Sequence, residues 1–216
     1  MRVLFREDWL WGVPVVGILR GVTEVMVEGL VPAVVRGGLR QLEITMNTVG
    51  AGSLIRRAVG LAGGRMNVGA GTVLTLGQLE AALEAGANFI VTPVVGEAVI
   101  RRCVELGVPV FPGAYTPGEI VRAWGLGATM VKVFPADYLP VEFFRAVKGE
   151  WPEIKLMPTG GVSLGSLAGY AGCADGFGVG SPLFHAERLA RGDWGWVEER
   201  TREWCAACAA REAHSA

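Results

Sequence analysis

The stretch Gln41-Leu42-Glu43-Ile44-Thr45-Met46-Asn47 alternates without a break. Leu42, Ile44 and Met46 share one side, while Gln41, Glu43, Thr45 and Asn47 share the other, and successive side chains of a strand point to opposite faces. This is a strand with one apolar face and one wholly polar face. In a closed barrel the apolar face meets the surrounding helices and the polar face points into the interior. A carboxylate at Glu43 is then desolvated and its pKa raised, unless a cation or water supports it.

The same reading extends along the chain. Short apolar runs alternate with helix-like stretches that end in glycine, the rhythm of repeated βα units. Eight strand positions follow: Val15–Leu19, Gln41–Thr45, Asn67–Ala70, Phe89–Thr92, Pro109–Pro112, Met130–Phe134, Lys155–Pro158 and Gly176–Val179. Helical spacing shows in Leu79, Leu83 and Ala87, and again in Val99, Cys103 and Leu106. Gly37-Gly38, Gly86, Gly107 and Gly127 stand where left-handed caps end helices. Connections this short require right-handed crossovers and a parallel sheet. An open doubly wound sheet would carry a glycine-rich nucleotide loop after its first strand, and none follows Leu19. The expectation is a single-domain (β/α)8 TIM barrel over residues 1–216, with helical additions at both ends. In the C-terminal tail Trp194, Val197, Thr201, Trp204 and Cys208 form the packing stripe of a last helix.

Composition excludes several function classes. About half of the 216 residues are hydrophobic and the formal net charge is −1, so no basic surface for nucleic acid is expected. The apolar run from Trp9 to Leu19 is broken by Gly12, Pro14 and Gly17 and is too short to span a bilayer. No membrane partner follows. Arg2 and Arg6 beside Glu7 and Asp8 do not form a signal peptide, and a cytoplasmic location is expected. Four cysteines lack a framework spacing. Cys205-x-x-Cys208 lies in the helical tail, where positions three apart share a face, and reads as packing rather than a metal site. His185 and His214, the only histidines, leave little material for zinc or a histidine-based triad.

Lys132 stands in the apolar run Met130-Val131-Lys132-Val133-Phe134-Pro135. Lysine is seldom buried without a purpose or a partner. The chain has three lysines among 20 basic residues, so an amine rather than a permanent guanidinium was kept here. A buried amine can lose its proton and attack a carbonyl, which arginine cannot do. A purely structural pair with Glu43 is the competing reading. Glycines follow the seventh and eighth strands in Met157-Pro158-Thr159-Gly160-Gly161-Val162-Ser163 and Gly178-Val179-Gly180-Ser181. Barrels commonly bind phosphate on backbone amides of these two loops.

With these residues in place, the sequence resembles the 2-keto-3-deoxy-6-phosphogluconate and 4-hydroxy-2-oxoglutarate aldolases, from Gly17-Ile18-Leu19-Arg20 to Gly180-Ser181. The ordered markers are Leu42-Glu43-Ile44-Thr45, Val68 to Leu74, Val91-Thr92-Pro93, Phe111-Pro112-Gly113, Val131 to Ala136 and Pro158 to Val162. The resemblance implies a homotrimer, no metal or other cofactor, a Schiff base at Lys132 and general acid–base work by Glu43. It also implies a 2-keto acid and an aldehyde as small-molecule partners. Arg20, Asn47, Thr72, Pro93, Phe134 and Thr159 would contact substrate, and Gly160, Gly161, Gly180 and Ser181 would hold phosphate. Asn47 stands where many of these aldolases carry an arginine for the keto acid's carboxylate. The related 2-keto-3-deoxy-6-phosphogalactonate aldolases have asparagine there, so the sugar stereochemistry stays open. An isomerase, epimerase or synthase on the same barrel, and an inactive scaffold, are the other readings; retention of both Lys132 and Glu43 speaks against them.

Overall fold

The computed structural model describes residues 4–212, and His214 lies outside the described residues. Each predicted strand position carries a strand: β1 (Val15–Leu19), β2 (Gln41–Thr45), β3 (Asn67–Gly71), β4 (Ile90–Val91), β5 (Val110–Phe111), β6 (Gly113–Ala114), β7 (Val131–Val133), β8 (Leu156–Pro158) and β9 (Phe177–Val179). All pairings are parallel. Six strands form a sheet in the order β5-β4-β3-β2-β1-β9, and three form a second sheet, β6-β7-β8.

The expected eight-stranded barrel is therefore met in part, as an α/β fold with a curled parallel sheet. The fifth predicted strand is two short strands either side of Pro112, because proline offers no N–H to the ladder. Its carbonyl still accepts the Lys132 N–H at 2.9 Å. A single parallel bridge, Thr159 with Gly178, lies between β8 and β9.

Helices follow the strands. They are α1 (Glu7–Gly12), α2 (Glu24–Arg36), α3 (Ala51–Ala62), α4 (Leu76–Glu84), α5 (Glu97–Glu105), α6 (Pro117–Gly125), α7 (Val141–Glu150), α8 (Ala186–Ala190) and α9 (Trp194–Glu212). After β8 the chain makes a 3-10 helix at Leu164–Tyr170 instead of an α-helix. Gly165 and Gly169 within that turn lower its α-helical propensity. Gly38, Gly86, Gly107 and Gly127 all have positive φ just past helix ends, as the caps require. Gly37 does not: it has right-handed backbone. A Cβ there would stand 2.6 Å from the Thr201 Cβ, so Gly37 is set by the close approach of α2 to α9.

Strand alternation divides the core in two. Leu42, Ile44, Val68, Ala70, Ile90, Val131 and Val133 pack outward against the helices with Leu30, Val34 and Ile55. The inward positions Val16, Phe89, Val91, Phe111, Met130 and Met157 form a separate cluster, joined by Leu10 from α1. Phe5 meets Phe89 and Phe111 edge-on, with ring centroids 5.8 and 6.5 Å apart. Gly69 faces Phe89; a Cβ there would stand 2.6 Å from the ring. The Asn67 amide binds both the backbone N–H and the carbonyl of Arg6, each at 2.9 Å. The N-terminal segment thus closes the end of the interior away from the strand C-termini.

On α9, Val197, Thr201, Trp204 and Cys208 of the predicted stripe are fully buried, and Trp194 is partly buried against the core. Burial pushes the Cys205 thiol up to about 11, the property of a packed rather than a reactive cysteine. No described helix is long and apolar enough to cross a membrane.

Candidate active site

Lys132 sits in the middle of β7 between Val131 and Val133, which face the helices, so alternation turns its side chain inward. Gly113 and Met157 are its register partners on β6 and β8. Its residue exposure is 6%, and that of Glu43 on β2 is 1%. Burial lowers the lysine's pKa, opposed by Glu43 and reinforced by Arg20. Burial also raises the pKa of Glu43, against the attraction of Lys132 and Arg20. Desolvation is the leading cause for both groups, and it favours a neutral amine and a protonated acid.

The two do not form the structural pair that was the competing reading. Among the described residues no ion pair within 4.0 Å includes either group, and neither carboxylate oxygen of Glu43 has a protein hydrogen-bond partner. The other lysines are engaged elsewhere: Lys148 pairs with Asp175 at 2.8 Å, and the Lys155 ammonium lies 4.6 Å from the centre of the Trp11 ring. Gly71 makes room for the acid, since a Cβ on it would overlap the Glu43 carboxylate.

Above these groups a cavity of about 560 Å³ opens at the C-terminal ends of the strands. Lys132 reaches its floor with the ammonium 5.0 Å from the Phe134 ring centre. Arg20 extends from the end of β1 on the same parity as Val16 and Ile18, and donates to the Thr72 hydroxyl at 3.3 Å. Thr72 is the one non-glycine residue with positive φ among the described residues, at 55°. That backbone turns its hydroxyl toward Arg20 and marks a strained position of the kind found at functional sites.

Of the predicted site residues, Arg20, Thr72, Pro93, Lys132, Phe134 and Thr159 line this one cavity. Gly160, Gly161, Gly180 and Ser181 line it too. Glu43 and Asn47 do not: Glu43 is buried in the interior, and Asn47 is exposed in the turn after β2. Ser163 and Asp137 are lining residues that the sequence reading missed. Asp137 follows the Phe134-Pro135-Ala136 marker in a 3-10 turn, Ala136–Tyr138, and its only sequence signal was that adjacency. Its carboxylate lies against Gly160 and Gly161, both of positive φ, where a Cβ on either would overlap its oxygens. Among the described residues no group of three or more His, Cys, Asp or Glu is gathered to hold a metal ion.

The chain is similar to known aldolases over most of its length. The sequence pattern of the family described as "KDPG and KHG aldolase" matches residues 7–200. A 2-dehydro-3-deoxy-phosphogluconate aldolase of Pseudomonas aeruginosa is 37% identical over 174 residues, covering 79% of this chain and 78% of that protein. A 2-dehydro-3-deoxy-6-phosphogalactonate aldolase of Escherichia coli strain K12 is 36% identical over 203 residues, covering 93% and 95%. A solved structure described as "Native KDPGal structure" superposes with a TM-score of 0.85 at 31% identity, covering 94% of this chain and 97% of that one. With a buried lysine at the cavity floor, an unpartnered glutamate buried in the same interior, and these likenesses over nearly its whole length, the chain belongs to the KDPG and KHG aldolase family of lyases.

Proposed function

We propose that this chain cleaves 2-keto-3-deoxy-6-phosphogluconate to pyruvate and glyceraldehyde 3-phosphate through a Schiff base at Lys132, and 4-hydroxy-2-oxoglutarate to pyruvate and glyoxylate. The observation that carries the proposal is the buried amine of Lys132 at the cavity floor, with Glu43 buried in the same interior and free of protein hydrogen bonds. The neutral amine attacks C2 of the keto acid and gives a carbinolamine. Loss of water, with a proton from Glu43, gives the iminium ion, which draws the electron pair of the C3–C4 bond as that bond breaks. Glu43, now a carboxylate, takes the C4 hydroxyl proton as the aldehyde forms. The enamine is then protonated at C3 by the same group, and water attacks the iminium carbon to release pyruvate and the amine. Arg20, oriented by Thr72, is the group for the keto acid's carboxylate, taking the part for which Asn47 has no charge. Backbone amides around Gly160, Gly161 and Gly180, with the Ser181 hydroxyl, would receive the phosphoryl group.

A second reading, cleavage of the galactonate epimer, is favoured by Asn47 and by the longer reach of the galactonate relative's alignment. Both epimers belong in the assay. The same proposal takes the two sheets as one closed (β/α)8 barrel acting as a single domain; the Pro112 carbonyl bond and the Thr159–Gly178 bridge support closure at the two seams. It also includes a cytoplasmic homotrimer that needs no metal.

The test is borohydride reduction in the presence of pyruvate, followed by mass analysis of the intact and digested protein. One reduced pyruvyl group on Lys132 is the expected result. Labelling on Lys148 or Lys155, or activity lost to a chelator and restored by a divalent metal, would overturn the Schiff-base reading.

A further inference from the structure

We infer that Gln41 is a positioning residue for the acid–base step: its buried amide holds interior water against Glu43 and so supports the carboxyl from within the sheet. This inference rests on the aldolase reading above. Gln41 and Glu43 are two residues apart on β2, and Leu42 between them packs outward, so both side chains enter the interior. Gln41 is fully buried, and neither its amide nitrogen nor its amide oxygen has a protein hydrogen-bond partner; the same holds for both oxygens of Glu43. Four unpaired polar atoms thus lie on one face of one strand, and keeping such atoms dry is costly. The neighbours do not relieve them. Val16, the register partner of Gln41 on β1, is apolar, and Asn67, its partner on β3, has its amide engaged with Arg6 and Asn88. Phe89, Met130 and Met157, also inward, are apolar as well.

Water fits both the spacing and the chemistry. Residues on one face of a parallel strand stand about 6.6 Å apart, and a water with two hydrogen bonds of about 2.8 Å spans most of that. A buried water makes about three hydrogen bonds, which the amide and the carboxyl together supply. An amide suits a group that must alternate between acid and base, because it carries both a donor and an acceptor. While Glu43 is protonated, its O–H donates to the water and the water donates to the Gln41 oxygen. Once Glu43 is a carboxylate the water turns, donating to the carboxylate and accepting from the Gln41 N–H. The hydrogen bond to the charged form is the stronger, so the amide and its water offset part of the burial that disfavours the carboxylate. The charged groups that act on Glu43 are Lys132 from β7 and Arg20 from the end of β1; its register partners Ile18 and Gly69 carry no charge.

The experiment is the pH profile of Gln41→Met, which keeps the length of the side chain and removes both polar atoms among neighbours that are themselves apolar. The variant is expected to unfold at the wild-type temperature or above it, since no orphaned amide remains. Its basic limb of kcat, which reports loss of the acid form of Glu43 in the enzyme–substrate complex, should move upward by about one pH unit. The plateau of kcat should fall by about tenfold with KM little changed, because the carboxylate formed during turnover has lost its support. A high-resolution crystal structure of the wild type needs no variant, and should show water within hydrogen-bond distance of the Gln41 amide and the Glu43 carboxyl. A limb that stays fixed in Gln41→Met while borohydride still traps pyruvate on Lys132, or diffraction showing the amide bonded to protein groups alone, would overturn the inference and leave the lyase in place. If the wild type gave no pyruvate adduct on Lys132, the aldolase reading itself would fail, and the role of Gln41 with it.

Discussion

Glu43 carries two costs that bear on opposite measurements. Its carboxyl is buried without a protein partner, and burial holds its pKa above the ordinary value. Between those two values the unfolded chain gives up a proton that the folded chain keeps, so folding loses stability as pH rises through the ordinary carboxylate range. Below that range both states are protonated and the penalty vanishes. Glu43→Gln is therefore expected to lower kcat by about 10²- to 10⁴-fold, the usual worth of a positioned acid–base. The same variant should unfold at a higher temperature than the wild type near pH 8, with the difference shrinking near pH 4. Calorimetry at the two pH values checks this; a variant less stable at pH 8 would show that Glu43 supports the fold.

At the scale of elements, what the sequence made legible and what it hid follow from periodicity. Strand positions could be read because alternation of period two survives in runs as short as Gln41–Thr45, and the α9 stripe could be read because helical spacing holds from Trp194 to Cys208. Lys132 and Glu43 stood out because a charged side chain breaks those patterns. The break of the fifth strand at Pro112 follows from proline chemistry, yet the surviving carbonyl bond to Lys132 is visible only in three dimensions. The inner and outer cores were also indistinguishable, since Phe89 and Ile90 are equally apolar and only closure separates them. Asp137 escaped because its place in the cavity lining is against Gly160 and Gly161 in the loop after β8, far along the chain. Gly37 belongs here too: read as a left-handed cap, it caps α2 with right-handed backbone and is also a close contact, where a Cβ would stand 2.7 Å from the Glu198 carbonyl oxygen on α9. Gly37→Ala should therefore destabilise the protein by about 1–3 kcal/mol through overpacking, despite alanine's better helix propensity. Denaturant melts would show it, and a stabilised variant would mean that α9 gives way freely.

At the scale of the whole molecule the interior cluster and the chemistry are one system, because the lowered pKa of Lys132 has burial as its largest cause. That burial is not made by any one neighbour. Leu10 from α1, the rings of Phe89 and Phe111, and Met130 and Met157 together keep water from the space beneath the amine. Met157 is the most direct of these, being 1% exposed and the register partner of Lys132 on β8. Putting a polar amide in place of its thioether should draw water or a hydrogen bond toward the ammonium and so favour the charged form. In Met157→Gln the acid limb of kcat/KM, which reports loss of the neutral amine in the free enzyme, should move upward by about one pH unit. Met157→Leu preserves volume and apolarity, and should leave that limb where it is even if packing costs some stability. The pH profile separates the two effects: a limb that stays fixed in Met157→Gln while kcat falls would mean that the interior positions Lys132 without setting its proton affinity.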